Sequence, residues 1–260
     1  MMLKRFPVIT VFIAACLLGA PLQTSAMAIA NSTLDFKNLS ITPVVGAISL
    51  DGPWFLETFA HADNSLGQID EHFTPGNSPG TVSASAAVIW ASATGTASAP
   101  NDPPDFLVTG SAQSDVNLPG PGAAAAFSKG RGTLFNFFTL SDSGNVQFDI
   151  DISYMLQAMT DAFGVFAQTE TVFTLEVDGT PILFWKDFLS IGSSNSATRA
   201  ISMPLSGTVM LDAGSHFLLL EADSESAGAV PEPPVGLLLI TGLAALVAAR
   251  RRPGLVRLEA

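Results

Sequence analysis

The chain has 260 residues and a formal net charge of −12 at pH 7. The part from residue 29 to residue 229 is more acidic still, because it holds five Lys or Arg against twenty-one Asp or Glu, a net charge of −16. Five dispersed basic side chains cannot neutralise a track of phosphates, so nucleic-acid binding is excluded. The single cysteine, Cys16, lies near the N-terminus, so the remainder must be stabilised by its own core and not by disulfides.

Residues 1–28 have the composition of a secretory signal peptide. Two basic residues precede an apolar segment at 6–19, and small residues follow. This order predicts export, with cleavage after Ala26 or Ala28. An uncleaved N-terminal anchor is one alternative, which the proline after the apolar segment disfavours. A lipoprotein signal ending at Cys16 is another, disfavoured because the apolar run continues past the cysteine.

The body, residues 29–221, is predicted to consist of short β-strands. Apolar and polar side chains alternate with a period of two, and turn residues separate the alternating segments. The predicted strands are 33–39, 44–50, 81–99, 106–116, 133–140, 146–154, 171–177, 180–186, 208–211 and 215–221. Residues 52–80 are expected to be loop with at most one strand, and 155–163 a loop or a helical turn.

Two hairpins in the second half of the body have the clearest local signals. In 146–154, Val, Phe, Ile and Tyr alternate with Gln, Asp and Ser, so one strand face is expected in the core and the other in water. The pair Asp178-Gly179 tolerates positive φ and predicts a type I′ turn. With no amphipathic helix pattern, the fold class is all-β, a single antiparallel β-sandwich of jelly-roll type. Residues 222–229, small and polar, are expected to be a flexible tether.

The last thirty residues have a three-part pattern. A Pro-rich motif precedes an apolar run at 234–249, and an arginine cluster follows this run. The motif residues are Val230, Pro231, Glu232 and Pro233, and the basic residues are Arg250, Arg251 and Arg252. Sixteen helical residues span about 24 Å, short of a hydrocarbon core of about 30 Å, a difference that bilayer thinning accommodates.

The arginine cluster predicts the orientation of this single transmembrane helix. Positive charge marks the side of an apolar helix that stays in the cytoplasm, so the body is expected outside the inner membrane and 253–260 is a short cytoplasmic tail. A buried core helix is the alternative interpretation of 234–249. It would need a polar face, which this run lacks.

The last thirty residues, with the three parts at 230–252, resemble the PEP-CTERM sorting signal of bacterial exported proteins. The resemblance covers about thirty residues, with all three parts in order; the eight residues after the arginines are more than the family pattern leads one to expect. It implies that a membrane-embedded exosortase recognises Pro231, Glu232 and Pro233, and that Arg250, Arg251 and Arg252 are stop-transfer charges. It also implies a place in the extracellular matrix, exopolysaccharide or biofilm layer.

No catalytic motif is present in the sequence, and the histidines His61, His72 and His216 lie in unrelated contexts. Asp70, Glu71 and His72 are the densest group of metal-ligand types, but neighbours on an extended chain point to opposite sides. No metal site and no cofactor are therefore predicted, with a cation at this group as the alternative.

Carbohydrate chemistry is the alternative for the body. Asp149 and Asp151 share a predicted strand face, the arrangement of a glycosidase carboxylate pair, although ordinary solvation explains them as well. Trp54, Trp90 and Trp185 are the candidate sugar-binding side chains. The leading hypothesis is a non-enzymatic exported surface protein whose partners are an exosortase and, through the C-terminal helix, the membrane. A carbohydrate-binding module or a polysaccharide hydrolase on the same sandwich is the alternative, with extracellular polysaccharide as partner.

Overall fold

The computed structural model describes residues 26–230, with gaps at 103, 120–124 and 163–164. Within these ranges the chain forms thirteen β-strands and no helix, and hence no helix able to cross a membrane. The strands are β1 (Ala28–Pro43), β2 (Ile48–Leu50), β3 (Phe55–Asn64), β4 (Ile69–Asn77), β5 (Gly80–Val88), β6 (Ala91–Ala99), β7 (Thr109–Leu118), β8 (Ala125–Leu140), β9 (Gly144–Thr160), β10 (Phe166–Val177), β11 (Thr180–Ile191), β12 (Asn195–Leu211) and β13 (Gly214–Ala229).

The strands form two antiparallel sheets, consistent with the predicted β-sandwich. The first sheet has the order β12-β9-β1-β7-β6-β5, and the second has the order β11-β10-β13-β8-β3-β4. The short β2 extends the second sheet by pairing with the end of β8, at Phe138 to Leu140. Every strand pairing is antiparallel.

Both predicted hairpin features are confirmed. On β9, Val146, Phe148 and Ile150 are buried, whereas the residues between them face outward. Between β10 and β11, Asp178 and Gly179 have φ of 52° and 76°, the left-handed conformation that a type I′ turn requires at both central positions.

The core between the sheets has two clusters with different side-chain sizes. One contains large side chains such as Phe36, Trp54 and Phe148, and the other is built mainly from alanines, with Val116 and Leu118. The small side chains allow the two sheets to approach closely.

The two sheets approach each other closely at glycines. A Cβ on Gly95 of β6 would lie 1.9 Å from the carbonyl oxygen of Arg131, and one on Gly132 of β8 would lie 2.2 Å from that of Thr96. No side chain fits at either position, so backbone packs directly on backbone there.

The composition of residues 222–229 predicts a flexible tether, and this prediction is wrong. The segment is the second half of β13. Their side chains alternate strictly, with Ala222, Ser224 and Ser226 buried. Small residues suffice here because the facing strands are close, and the hydroxyls bond across the sandwich. Ser224 Oγ lies 2.5 Å from Ser32 Oγ, and Ser226 Oγ lies 2.9 Å from Ser114 Oγ. The predicted domain boundary at residue 221 therefore falls inside a central strand.

Two loop predictions are also corrected. Residues 52–80 contain β3 and β4, which pair along nine residues from Phe55 to Asp63, and the expected loop at 155–163 continues β9 to Thr160. In both cases pairing with a neighbouring strand extends the β-structure through residues whose own sequence does not alternate clearly.

Only a few of the residues named in the predictions for the two chain termini are described by the structure. Ala28, a predicted signal cleavage position, is the first residue of β1 and is completely buried, while Ala26 precedes the strand. Val230 is 4% exposed and packs on the alanine-rich cluster. The rest of the signal peptide, the sorting motif at 231–233, the transmembrane helix, the arginine cluster and the tail 253–260 lie outside the described residues.

Candidate functional site

The outer face of the second sheet has a band of aromatic rings. Phe55 of β3 stacks on Phe135 of β8 with ring centroids 5.0 Å apart, and Phe217 of β13 packs against Phe135 and Phe137 at 5.9 and 5.4 Å. Phe73 of β4 is 58% exposed beside them. Contiguous exposed apolar surface of this kind is typical of binding sites.

Two adjoining depressions follow this band, with volumes of about 520 and 270 Å³. We call them together the Phe groove. The larger depression is lined by Phe59, Phe73, Phe135, Phe217 and Leu219, with Glu57, Arg131, Thr133 and Glu221 as polar groups. The smaller one adds Phe55, Pro75 and Asn77 and shares Glu57 and Phe135 with the first. The groove thus crosses β13, β8, β3 and β4, and its size suits a small-molecule or oligomeric ligand.

The polar groups of the groove meet because of strand register. Glu57 pairs with Thr133 across β3 and β8, and Thr133 pairs with Glu221 across β8 and β13. Side chains directly opposite on one face are neighbours, so the two glutamates flank Thr133. The next row holds Phe59, Arg131 and Asp223 in the same way.

Arg131 is tied to the carboxylates of β13. Its Nε donates to Asp223 Oδ1 at 2.7 Å and its Nη2 donates to Oδ2 at 3.2 Å, while Nη1 lies 3.4 Å from Glu221 Oε2. Burial of the guanidinium opposes its charge, but these carboxylates prevail and raise the pKa of Arg131. A bidentate pair of this geometry holds the guanidinium in place.

Glu221 is the carboxyl with the most perturbed acidity in the groove. Burial raises its pKa to about 7, and repulsion from Asp223 adds to this effect, while the positive charge of Arg131 opposes it. A carboxyl with a pKa near neutrality can hold or release a proton at physiological pH, a property that general acids of hydrolases use.

The three predicted tryptophans do not line the groove. Trp54 is completely buried, and its Nε1 donates to the carbonyl oxygen of Asp105 at 2.7 Å, so it is not available to a ligand. Trp90 lies in the turn between β5 and β6 with a φ of 77°. Trp185 is partly buried on β11 with its ring 4.0 Å from that of Tyr154. Trp90 and Trp185 stay predictions as ligand contacts.

The predicted carboxylate pair lies on the other sheet. Asp149 and Asp151 are on the outer face of β9, where Asp149 accepts hydrogen bonds from Ser206 and Gln147, and Asp151 accepts one from Asn38. The bond from Ser206 is the main cause that lowers the pKa of Asp149. Each carboxylate is satisfied by neighbouring side chains, in agreement with ordinary solvation.

The candidate metal residues do not all lie on one side of β4. On β4, Asp70 pairs with His72, while Glu71 points to the opposite side and lies 3.2 Å from His61 Nδ1. The described residues hold no group of three or more His, Cys, Asp or Glu arranged to bind a metal ion.

No family model, no curated protein and no solved structure matches this chain.

Proposed function

We propose that the chain is an exported, non-enzymatic surface protein that an exosortase sorts and processes at Pro231, Glu232 and Pro233. The N-terminal signal delivers it across the inner membrane, and the helix at 234–249 holds the precursor there before it reaches the cell surface. In this role the protein is part of an exopolysaccharide or biofilm layer. As the finer fold assignment we propose the jelly-roll type, which the repeated passage of successive strands from one sheet to the other supports.

One observation carries this proposal. The Pro-Glu-Pro motif, the apolar run and the arginine cluster occur in the order of the PEP-CTERM signal. This signal begins at Val230, the last buried residue of the body, so a cut at the motif after Val230 would release the complete sandwich.

Measurement of the intact mass of the protein recovered from the membrane and the medium of its host tests this function. We expect the mature protein to lack the N-terminal signal and about thirty C-terminal residues. A Glu232→Ala variant is expected to accumulate with its C-terminal segment intact, whereas Glu225→Gln, outside the motif, is processed normally. A C-terminal segment that remains on every wild-type molecule contradicts the processing, and a cytosolic reporter fused before Val230 contradicts the export.

The Phe groove favours a second candidate function, in which the body binds or hydrolyses a polysaccharide. Sugar-binding and glycoside-hydrolysing sites often have aromatic walls and two carboxyl groups, one of them with a raised pKa. The groove has such walls and two glutamates, of which Glu221 has a pKa of about 7. Incubation of the full-length chain with the extracellular polysaccharide of its host distinguishes the possibilities. Binding without cleavage supports a binding module. Cleavage that Glu57→Gln and Glu221→Gln abolish, but Asp149→Asn does not, supports a hydrolase.

A further inference from the structure

We propose that the Phe groove binds a polysaccharide with unsubstituted amino groups, that is, a chain of protonated amino sugars. This inference rests on the polysaccharide-binding function proposed above and adds the charge of the ligand. It is carried by the ion-pair pattern of the sheet face, by the aromatic walls and by the shape of the groove.

The outer face of the second sheet has a surplus of negative charge. Its described strands place eight carboxylates on this face: Glu57, Asp63, Glu71, Glu170, Glu176, Glu221, Asp223 and Glu225. Three Lys or Arg side chains accompany them, and each already has a carboxylate partner: Lys129 with Glu225, Arg131 with Asp223, and Lys186 with Glu170. His61 also lies on this face, between Asp63 and Glu71. On the described strands, every Lys, Arg and His of this face therefore has a carboxylate neighbour, and carboxylates outnumber these basic groups by eight to four.

Glu57 is the acceptor that the groove offers. It lines both depressions, and within the described part of the chain no Lys, Arg or His lies at ion-pair distance from it. A charge-assisted hydrogen bond from an ammonium group would satisfy this carboxylate. A neutral sugar could offer it only the weaker hydrogen bond of a hydroxyl.

The walls of the groove match the rest of such a ligand. Phe59, Phe73, Phe135 and Phe217 surround the polar row, and the face of an aromatic ring attracts a cation within about 6 Å of its centre. The same rings provide apolar area for the C–H face of a sugar ring. Amine and sugar ring can thus be bound by adjacent parts of one wall.

The shape of the groove favours a polymer over a single amine. The two depressions adjoin at Glu57 and Phe135 and run across four strands. A single ammonium ion would occupy a small part of the roughly 520 Å³ of the larger depression. Several linked sugar units would fill it and continue into the smaller one.

Calorimetric titration of the full-length chain at about pH 6 tests the proposal with two matched probes. These are a tetramer of glucosamine and a tetramer of N-acetylglucosamine, which share the sugar ring but differ in the charge at the amine. We expect the glucosamine tetramer to bind at least about tenfold more tightly, the equivalent of one charge-assisted hydrogen bond. We expect Glu57→Gln to remove this preference, and we expect Phe73→Ala to weaken the binding of both tetramers. Glu225→Gln, a paired carboxylate on the same face outside the groove, is expected to leave binding unchanged.

The other outcomes overturn the proposal in distinguishable ways. Equal binding of both tetramers, or a charge preference that survives in Glu57→Gln, overturns the amino-sugar inference and leaves polysaccharide binding standing. If neither tetramer nor the host polysaccharide binds, the binding function fails as well. Tight binding of a lysine oligomer without binding of glucosamine would assign the groove to a basic protein segment instead.

Discussion

At the scale of single residues, Glu221 combines burial with negative charge. It lies between Arg131 and Asp223 on the groove side of β13. Its alternation pattern predicts an outward-facing side chain, and outward-facing glutamates are ordinarily solvated. Its pKa is raised mainly because neighbouring strands bury the side chain. These strands are distant in sequence.

We predict that Glu221 makes the protein less stable as the pH rises. Its pKa is raised from about 4.5 to about 7 on folding, so folding is favoured by the protonated form. The stability it contributes is complete below about pH 4.5 and is lost as the pH rises through 7. Glu221→Gln should therefore increase the free energy of unfolding at about pH 8, by on the order of 1 kcal/mol after screening, and leave it unchanged at about pH 4.

Urea unfolding between about pH 4 and pH 8 measures this effect. Glu225→Gln is the matched control, because it removes a carboxylate of the same strand face that is paired with Lys129, and it should give no gain at about pH 8. A loss of stability in Glu221→Gln at that pH would show that the ion pair with Arg131 outweighs the burial of the charge.

At the scale of elements, the sandwich is shaped by residues that look structureless in the sequence. The Ser, Ala and Gly of β6 and of the second half of β13 have the composition of linkers. Alternation and Trp90 indicated a strand for the first of these segments, while the second was predicted as a tether. Both are strands because the sheets approach closely and require small inward side chains. Gly95 of β6 packs on the backbone of β8, and Ser224 of β13 meets Ser32 of β1.

We predict that Gly132→Ala destabilises the protein by about 3 kcal/mol, the upper end of the usual cost of overpacking. The added Cβ would lie 2.2 Å from the backbone oxygen of Thr96, and backbone cannot move aside as a side chain can. Gly192→Ala is the control, because nothing lies within 4 Å of its Cβ position, and a change below about 0.5 kcal/mol is expected.

Denaturant unfolding of both glycine variants gives the comparison. Failure of Gly132→Ala to fold, alongside a normal Gly192→Ala, would have the same meaning as a large destabilisation. Equal stability of the two variants would contradict the direct backbone contact between β6 and β8.

At the scale of the whole molecule, the first and last strands of the described body, β1 and β13, pack against each other between the two sheets. A Cβ on Gly228 of β13 would lie 3.5 Å from the Cβ of Ala28 of β1, so the two ends of the described body are neighbours. Each of these strands is central in its own sheet, with a partner on both sides. The body therefore depends on residues close to both predicted processing sites.

We predict that a chain ending at Val230 folds, whereas a chain ending at Glu221 does not. The shorter chain lacks half of β13, with its backbone pairing to β8 and β10 and the buried hydroxyls of Ser224 and Ser226. Circular dichroism and hydrogen exchange distinguish the two states. If the chain ending at Glu221 also folds, residues 222–229 are not required for the fold, as their composition predicts for a tether.

Much of the architecture followed from the sequence, because the period-two pattern and the Asp178-Gly179 turn are local properties of the chain. These features determined the all-β class, the core face of β9 and the type I′ hairpin. The signals for export and sorting are likewise local, and they remain predictions.

Only the tertiary structure decided the candidate site and the true extent of the body. Glu57, Arg131 and Glu221 lie on three strands separated by many residues, and no local signal states which strands will be neighbours. Phe is most often a core residue, but Phe55, Phe73 and Phe137 face outward here. Likewise, whether a Ser- and Ala-rich segment is linker or strand depends on how close the opposite sheet comes. Strand order and sheet spacing are long-range properties. They determine that the groove lies on the surface and that residues 222–229 form a central strand with alternate side chains in the core.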